Sequence, residues 1–284
     1  MEYQKRKARV IAFYLPQFHP IPENDKWWGK GFTEWTNVGK AKPLFKGHYQ
    51  PRVPADLGYY DLRMPEVREA QAKMARDAGI EGFCYWHYWF GNGKKLLERP
   101  FQEVLSSGKP DFPFCLGWAN HSWTNKSWEA GTKRIKESTL VEMVYNKEEY
   151  VKHFYEVLPA FKDMRYIQVE GKPLFLVFRP LEIPNPHEFI DIWQTLAQEN
   201  GLKGIYFVGI AYNMLPQEQT LENIILKNIQ DNSALHYQAV LDAGFDAVNS
   251  RGYNRADYYS RTLIDVLWRG IFLRLFKRAP VSRC

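Results

Sequence analysis

The sequence predicts an α/β protein of the (β/α)8 barrel type. Strands and helices alternate along the chain, which indicates either a barrel or a doubly wound parallel sheet. Two strands, Leu174–Phe178 and Ile205–Ile210, are continuously apolar, as parallel strands covered on both faces are. Polar and aromatic residues collect where successive strands end, and barrel enzymes build their sites at that end. No glycine-rich nucleotide motif accompanies the first strand, which disfavours the doubly wound alternative.

Each predicted strand is a short apolar or aromatic run bounded by turn residues. The first is followed by a long loop that reaches to about Arg63. The predicted strands are about Arg9–Leu15, Gly82–Trp89, Phe112–Trp118, Leu174–Phe178, Ile205–Ile210 and Phe245–Val248. A short hairpin arm, Tyr166–Val169, is predicted to turn at Glu170-Gly171 and lead into the fourth strand.

The helices are assigned from apolar spacing and from their end signals. The helix at Pro65–Ala78 has proline in its first turn, Gly79 just beyond its end, and apolar residues spaced by three and four. The others are predicted at about Leu97–Ser107, Lys147–Phe161, His187–Glu199, Ala234–Ala243 and Tyr258–Phe276. A complete barrel needs eight strands. We therefore expect an incomplete barrel, a single domain over residues 1–284 with about six of the eight strands and without the C-terminal ones.

Composition excludes several classes of protein. The net charge of +6 is mild, and no DNA- or RNA-binding motif accompanies it, so no nucleic-acid partner is expected. Cys84 and Cys115 fall in buried strands, no zinc spacing exists, and neither a metal nor a cofactor is predicted. The basic N-terminus lacks the apolar segment of a signal peptide, and no run approaches the length of a membrane span. We expect a cytoplasmic protein; the oligomeric state is left open.

Three strand ends carry aromatic residues mixed with amide and imidazole groups. The segments are Phe13–His19, Phe83–Phe90 and Cys115–Trp123. Burying such polar groups without partners costs about 1–3 kcal/mol each, so a polar ligand is expected to meet them. Aromatic faces with a rim of hydrogen-bonding groups suit a sugar ring, which offers a C–H face and a set of hydroxyls. The alternative is a large aromatic core whose polar tips are satisfied within the protein.

The candidate substrate-binding residues lie in these segments, in the long first loop and after the fourth strand. Glu34 is the candidate catalytic residue, because it lies in the loop after the first strand among several aromatic residues. Arg179 is predicted either to bind an acidic sugar or to pair with a carboxylate. The candidate substrate-binding residues are Tyr14, Gln17, His19, Trp35, His48, Tyr49, Trp86, Tyr88, Trp118, Asn120, His121, Trp123 and Arg179.

The same segments resemble the WbsX-like polysaccharide-biosynthesis family, which is related to the family-99 glycoside hydrolases (endo-acting mannosidases). The resemblance runs from about residue 9 to residue 250. The matching stretches are Ala12–His19, Gly31–Val38, Pro43–Pro51, Leu57–Arg63, Gly82–Phe90, Leu97–Pro100, Phe112–Trp123 and Gly171–Leu176. It implies a (β/α)8 barrel that acts on glycans in the biosynthesis of surface polysaccharides such as lipopolysaccharide, O-antigen or capsule, as a glycoside hydrolase or a glycosyltransferase.

Two departures from the family pattern bear on catalysis. His121 follows Asn120 where the family pattern has glutamate, and the late Asn-Glu-Trp-x-Glu-Gly motif that carries the family's catalytic pair does not occur. Whether the chain is an enzyme is therefore left open, and a catalytically silent glycan-binding fragment is the alternative. The apolar and basic stretch 263–278 is expected either to lie on the inner face of the membrane or to pack under the barrel.

Overall fold

The computed structural model describes residues 8–125, 138–211 and 229–250. Its main sheet contains six parallel strands, β1 (Ile11–Tyr14), β2 (Gly82–Gly91), β4 (Phe114–Trp118), β8 (Lys172–Val177), β9 (Tyr206–Ala211) and β10 (Ala247–Ser250). They lie side by side in the order of the sequence. A doubly wound sheet reverses its strand order at a switch point, whereas a barrel adds each strand beside the preceding one. The incomplete (β/α)8 prediction is confirmed, and all six predicted strands are found.

Short antiparallel strands extend the sheet. Strand β3 (Lys94–Leu96) pairs with β2, and β7 (Gln168–Val169) pairs with β8. The β7–β8 turn is the predicted one, with Glu170 and Gly171 both at positive φ. A separate two-stranded sheet of β5 (Trp123–Thr124) and β6 (Thr139–Val141) follows the end of β4.

Side-chain caps begin several of the helices described below. The helices are α1 (Pro22–Trp28), α2 (Glu34–Lys40), α3 (Pro65–Asp77), α4 (Arg99–Ser107), α5 (Lys147–Phe161), α6 (Pro186–Glu199) and α7 (Ile229–Asp242). Thr33 begins α2 with a capping box, and Asn146 begins α5 by accepting the Glu149 N–H at 2.9 Å. The short helices α1 and α2 lie in the long first loop. The predicted helix 258–276 and the 263–278 stretch lie outside the described residues.

The core lies between the sheet and helices α5 and α6. Phe175 of β8 and Phe207 of β9 are in register, so their side chains lie on the same face of the sheet. Both contact Trp193 of α6, with ring centroids 4.8 and 6.0 Å away, and all three residues are buried. This contact identifies the outer, helix-covered face of the sheet. The residues that alternate with them therefore lie on the opposite, inner face.

No helix in the described part of the chain has both the length and the apolar character needed to cross a bilayer.

Candidate functional site

Strand register assigns the inner face at the three N-terminal strands. Cys84 pairs with both Phe13 and Cys115, while Trp86 pairs with Gly117, so Phe13, Cys84, Trp86 and Gly117 lie on one face. Tyr85 and Trp118 alternate with these residues and lie on the outer face. Little space is left beside Gly117. A Cβ atom at this position would lie 3.2 Å from Cys84 Sγ and 3.3 Å from the Trp86 ring.

An aromatic row crosses the inner face near the carboxyl ends of the strands. The rings of Phe13 and Trp86 stack in parallel, with centroids 4.9 Å apart and planes 5° apart. The edge contact between Trp86 and Phe178 spans 5.2 Å, and Phe178 contacts His121, also at 5.2 Å. Phe13 is 48% exposed at one end of the row. We call these four residues, Phe13, Trp86, Phe178 and His121, the inner aromatic row.

A second group, the rim cluster, lies where β2 continues past Trp86. It consists of Trp27, Tyr88, Phe90 and Trp123. Trp123 of β5 makes edge contacts with Tyr88, Phe90 and Trp27 at 5.3, 5.7 and 6.0 Å. Burial raises the pKa of the Tyr88 phenol, and the charge of Glu34 raises it further. Glu34 therefore lies within electrostatic range of the rim cluster.

Glu34 is the first residue of α2 and is half-buried. Its backbone N–H donates to the Gln17 carbonyl at 3.3 Å, which joins α2 to the segment after β1. Burial raises the pKa of the Glu34 carboxyl, although a hydrogen bond from Asn37 opposes that rise. A raised pKa is the property that a carboxylic proton donor needs.

Tyr14 and Trp118 are corrections to the sequence prediction, since both lie on the outer face. The Tyr14 hydroxyl donates to Gln71 Oε1 of α3 at 2.6 Å, and the ring packs on Phe83 and Tyr85. Trp118 is 1% exposed, and its indole N–H donates to the Trp89 carbonyl at 2.8 Å. The prediction that Trp118 binds substrate is wrong, because its ring is enclosed between the sheet and the helices.

Asn120 and Arg179 form a structural clamp between the ends of β4 and β8. Asn120 Nδ2 donates to the Arg179 carbonyl at 2.8 Å, and the Arg179 N–H donates to Asn120 Oδ1 at 2.7 Å. The Tyr145 hydroxyl donates to the Asn120 carbonyl at 2.8 Å. Asn120 has no exposed surface, and these bonds satisfy its side-chain amide and its carbonyl. The Arg179 guanidinium pairs with Glu182 at 2.5 Å, which was the alternative left open for it.

The remaining predicted residues belong to the loops after β1. His19 is buried with Nδ1 2.6 Å from the Pro16 carbonyl, and burial lowers the pKa of its imidazole. The Trp35 indole donates to the Tyr60 carbonyl at 2.7 Å. His48 stacks on Phe45, and Tyr49 is 65% exposed. The described contacts do not bring Trp35, His48 or Tyr49 to the inner aromatic row.

Of the predicted site residues, Trp86 and His121 therefore both contact Phe178 in the inner aromatic row. Tyr88 contacts Trp123 in the rim cluster, and Glu34 lies within electrostatic range of Tyr88. The role of these residues, and of Gln17 beside Glu34, in substrate binding stays a prediction. Phe13 and Phe178 were missed as site residues. Both residues lie on the same face of the sheet as Trp86. The pairing of the strands reveals this, and the sequence alone does not give that pairing. In the described residues, no group of three or more metal-ligating side chains comes together.

Comparisons with known proteins identify a family and two relatives of this chain. The family model described as glycosyltransferase WbsX matches residues 10–262. Two proteins of Xanthomonas campestris pv. campestris strains, each called uncharacterized protein WxcX, are 42% identical over 199 residues. That alignment covers 70% of this chain and 28% of each relative, so the chain spans well under half the length of these curated relatives.

Two solved structures are also similar. One is the GH99 endo-α-mannosidase of Bacteroides thetaiotaomicron in complex with bis-tris propane (TM-score 0.47, 14% identity, 95% of this chain and 66% of that chain). The other is called a glycoside hydrolase-like protein (TM-score 0.48, 14% identity, 90% of this chain and 64% of that chain). The family assignment depends on the family model, which matches most of the sequence. The chain belongs to the WbsX glycosyltransferase family.

Proposed function

We propose that this chain binds glycan chains on the inner face of the incomplete barrel and acts on them in the biosynthesis of surface polysaccharides. Membership of the WbsX family supports the substrate class. The observation that carries the proposal is the parallel stack of Phe13 on Trp86, which presents a half-exposed aromatic face on the inner side of the sheet. A sugar ring stacks on such a face through its C–H groups, while nearby polar groups bind its hydroxyls.

Glu34 is the residue that we propose as proton donor in glycosyl transfer or hydrolysis. Glu34 lies within electrostatic range of Tyr88. Burial raises the pKa of its carboxyl, which favours the protonated form that a proton donor needs. Glycoside hydrolysis ordinarily needs a second carboxyl group. The late Asn-Glu-Trp-x-Glu-Gly motif that carries the family's catalytic pair does not occur in this sequence. This favours a second candidate function, glycan binding without turnover.

The test compares Phe13 with a matched aromatic residue away from the sheet face. Phe13 is 48% exposed, and Tyr155 on α5 is 49% exposed. Titration calorimetry with mannose- or hexosamine-containing oligosaccharides should show affinity that Phe13→Ala reduces about fivefold or more, since an aromatic contact contributes on the order of 1 kcal/mol beyond its area. Tyr155→Ala should bind as the parent does. A glycan array without hits, or equal affinity of both variants and the parent, would overturn the proposal.

Turnover separates the two candidate functions. If the chain is an enzyme, Glu34→Gln should abolish release or transfer of sugar from a bound oligosaccharide while leaving its affinity within about twofold, since general acid catalysis typically contributes 10²–10⁴-fold. If the chain only binds glycans, the parent should show binding without turnover.

A further inference from the structure

The long first loop contains a cationic segment without any acid. Between residues 35 and 55 the sequence has Lys40, Lys42, Lys46 and Arg52 and no aspartate or glutamate. All four of these side chains are exposed. None of them forms a salt bridge within the described part of the chain. The segment therefore presents four positive charges to solvent, and we call it the 40–53 loop.

The same loop exposes large apolar side chains. Leu44 is 62% exposed, Phe45 45%, Tyr49 65% and Val53 63%. Single exposed apolar residues are ordinary on a protein surface, but a contiguous group rimmed by polar residues marks an interaction site. Here four such side chains lie within ten residues of the sequence, interspersed with cations, and Leu44 and Phe45 are adjacent.

Internal contacts shape the tip of the loop. The His48 N–H donates to the Phe45 carbonyl at 3.1 Å, and the Leu44 N–H donates to His48 Nδ1 at 3.2 Å. The His48 ring also stacks on Phe45, with centroids 4.7 Å apart and planes 5° apart. Gly47 provides the positive φ of 85° that this turn requires. Leu44, Phe45 and Lys46 are consequently held together at one turn.

We propose that the 40–53 loop docks the protein on an anionic lipid bilayer. Lysine and arginine attract the negatively charged headgroups, and each cation near the surface strengthens binding. The aliphatic and aromatic side chains of Leu44, Phe45 and Val53 gain by leaving water for the acyl-chain boundary. An acidic polysaccharide or a nucleic acid would match the charges but has no apolar region into which Leu44 and Val53 could be buried. The apolar residues therefore favour the bilayer over other polyanions.

Docking would place the candidate site close to the membrane surface. The 40–53 loop begins where α2 ends, and α2 begins at Glu34. Because a helix rises about 1.5 Å per residue, the seven residues of α2 separate Glu34 from Lys40 by about 9 Å along the axis. A glycan that is carried on a membrane lipid could thus be reached from the docked position.

Vesicle flotation tests the proposal with the full chain. The parent should float with phosphatidylcholine vesicles that contain phosphatidylglycerol, should not float with pure phosphatidylcholine, and should dissociate as salt is added. The double variant Lys42→Glu/Lys46→Glu should lower the partition coefficient at least about tenfold. A charge-matched control, Lys109→Glu/Lys162→Glu, changes two exposed lysines elsewhere and should bind as the parent does.

The apolar contribution needs its own pair of variants. Leu44→Ser/Phe45→Ser should reduce flotation about tenfold or more, while Tyr155→Ser/Met164→Ser, which removes two other exposed large side chains, should not. Circular dichroism melting should show all four variants folded. Equal flotation of the loop variants and their controls would place any membrane contact elsewhere and overturn the proposal. Loss of binding in the charge variant alone, with heparin competing fully, would indicate a soluble polyanion instead and would also overturn it.

Discussion

The imidazole of His87 on β2 faces that of His153 on α5, with the two Nε2 atoms 3.0 Å apart. One nitrogen must donate and the other accept, so at least the accepting ring must be neutral. Burial lowers the pKa of both imidazoles, which favours the neutral form of each. His153 is enclosed by Trp89, which stacks on it at 5.3 Å, and by edge contacts from Trp118 and Trp193. The pair connects the sheet to α5 within the outer aromatic core.

This pair predicts loss of stability in acid. Desolvation, with a smaller contribution from Lys95, lowers the pKa of His87 from 6.5 to about 3, and desolvation also lowers that of His153. Because the folded pKa lies below the unfolded one, the unfolded chain binds more protons across this range. The free energy of unfolding should therefore decrease as pH falls from about 6.5 toward about 3.

Urea denaturation across this pH range measures the effect. His87→Gln should flatten the profile between pH 6 and 4, and the exposed His187→Gln should leave it unchanged. A profile in His87→Gln as steep as that of the parent would show that other groups cause the acid sensitivity.

Trp118→Ala should destabilise the protein strongly. The side chain is 1% exposed, and its removal leaves a cavity and an unpaired Trp89 carbonyl. Truncation of a buried tryptophan costs about 3–5 kcal/mol. Urea midpoints should show this loss, whereas Phe13→Ala should change stability by much less, because Phe13 is half-exposed. A comparable loss in the two variants would contradict the assignment of Trp118 to the core and Phe13 to an open face.

Asn120→Ala should loosen the end of β8. The substitution leaves the Arg179 N–H and carbonyl without their buried partners, at a cost of about 1–3 kcal/mol. Hydrogen exchange at the Arg179 amide should accelerate, while exchange at the start of β8 should change little. Unchanged protection at Arg179 would mean that the clamp contributes nothing to the order of this segment.

Glu34→Gln should maintain or slightly increase stability at pH 7. A carboxyl whose folded pKa lies above its unfolded value contributes stability at low pH and loses that contribution as pH rises through the folded pKa. At pH 7 the ionised Glu34 is therefore unfavourable, and an uncharged amide removes that cost. Thermal melts at pH 4 and pH 7 measure whether the substitution raises or lowers stability at each pH. Glu69→Gln, at an exposed position, is the control. A clear loss of stability at pH 7 would indicate a structural role for the carboxylate.

The six parallel strands and most helices could be predicted from the sequence, but the short strands β3, β5 and β6 and the faces of the strands could not. Strand β2 carries aromatic or imidazole side chains on both faces, from Tyr85 through Trp89, so alternation separates two sets without identifying the inner one. Register decides the question, because it places Trp86 beside Gly117 and His87 beside Trp118. Register depends on a partner strand about thirty residues away, and no local pattern encodes it.

The partners of buried polar residues could not be predicted from the sequence either. The sequence predicts that Asn120 binds a ligand, because no residue near it in the sequence is an evident hydrogen-bond partner for its side-chain amide. Its partners are the backbone groups of Arg179, 59 residues further along. Helices α1 and α2 were missed for a different reason: each is seven residues long, too short for apolar periodicity to be visible. The capping residue Thr33 and the proline at position 22 were the available signals.

Gly117 leaves room for a ring that belongs to another strand. Its missing side chain leaves the space into which the Trp86 indole settles, and the Trp86 indole in turn supports Phe13. A methyl group at position 117 would lie 3.3 Å from that indole and 3.2 Å from Cys84 Sγ, so one of these neighbours would have to shift by a few tenths of an ångström. The proposed sugar platform thus rests on a strand position where any side chain would crowd it.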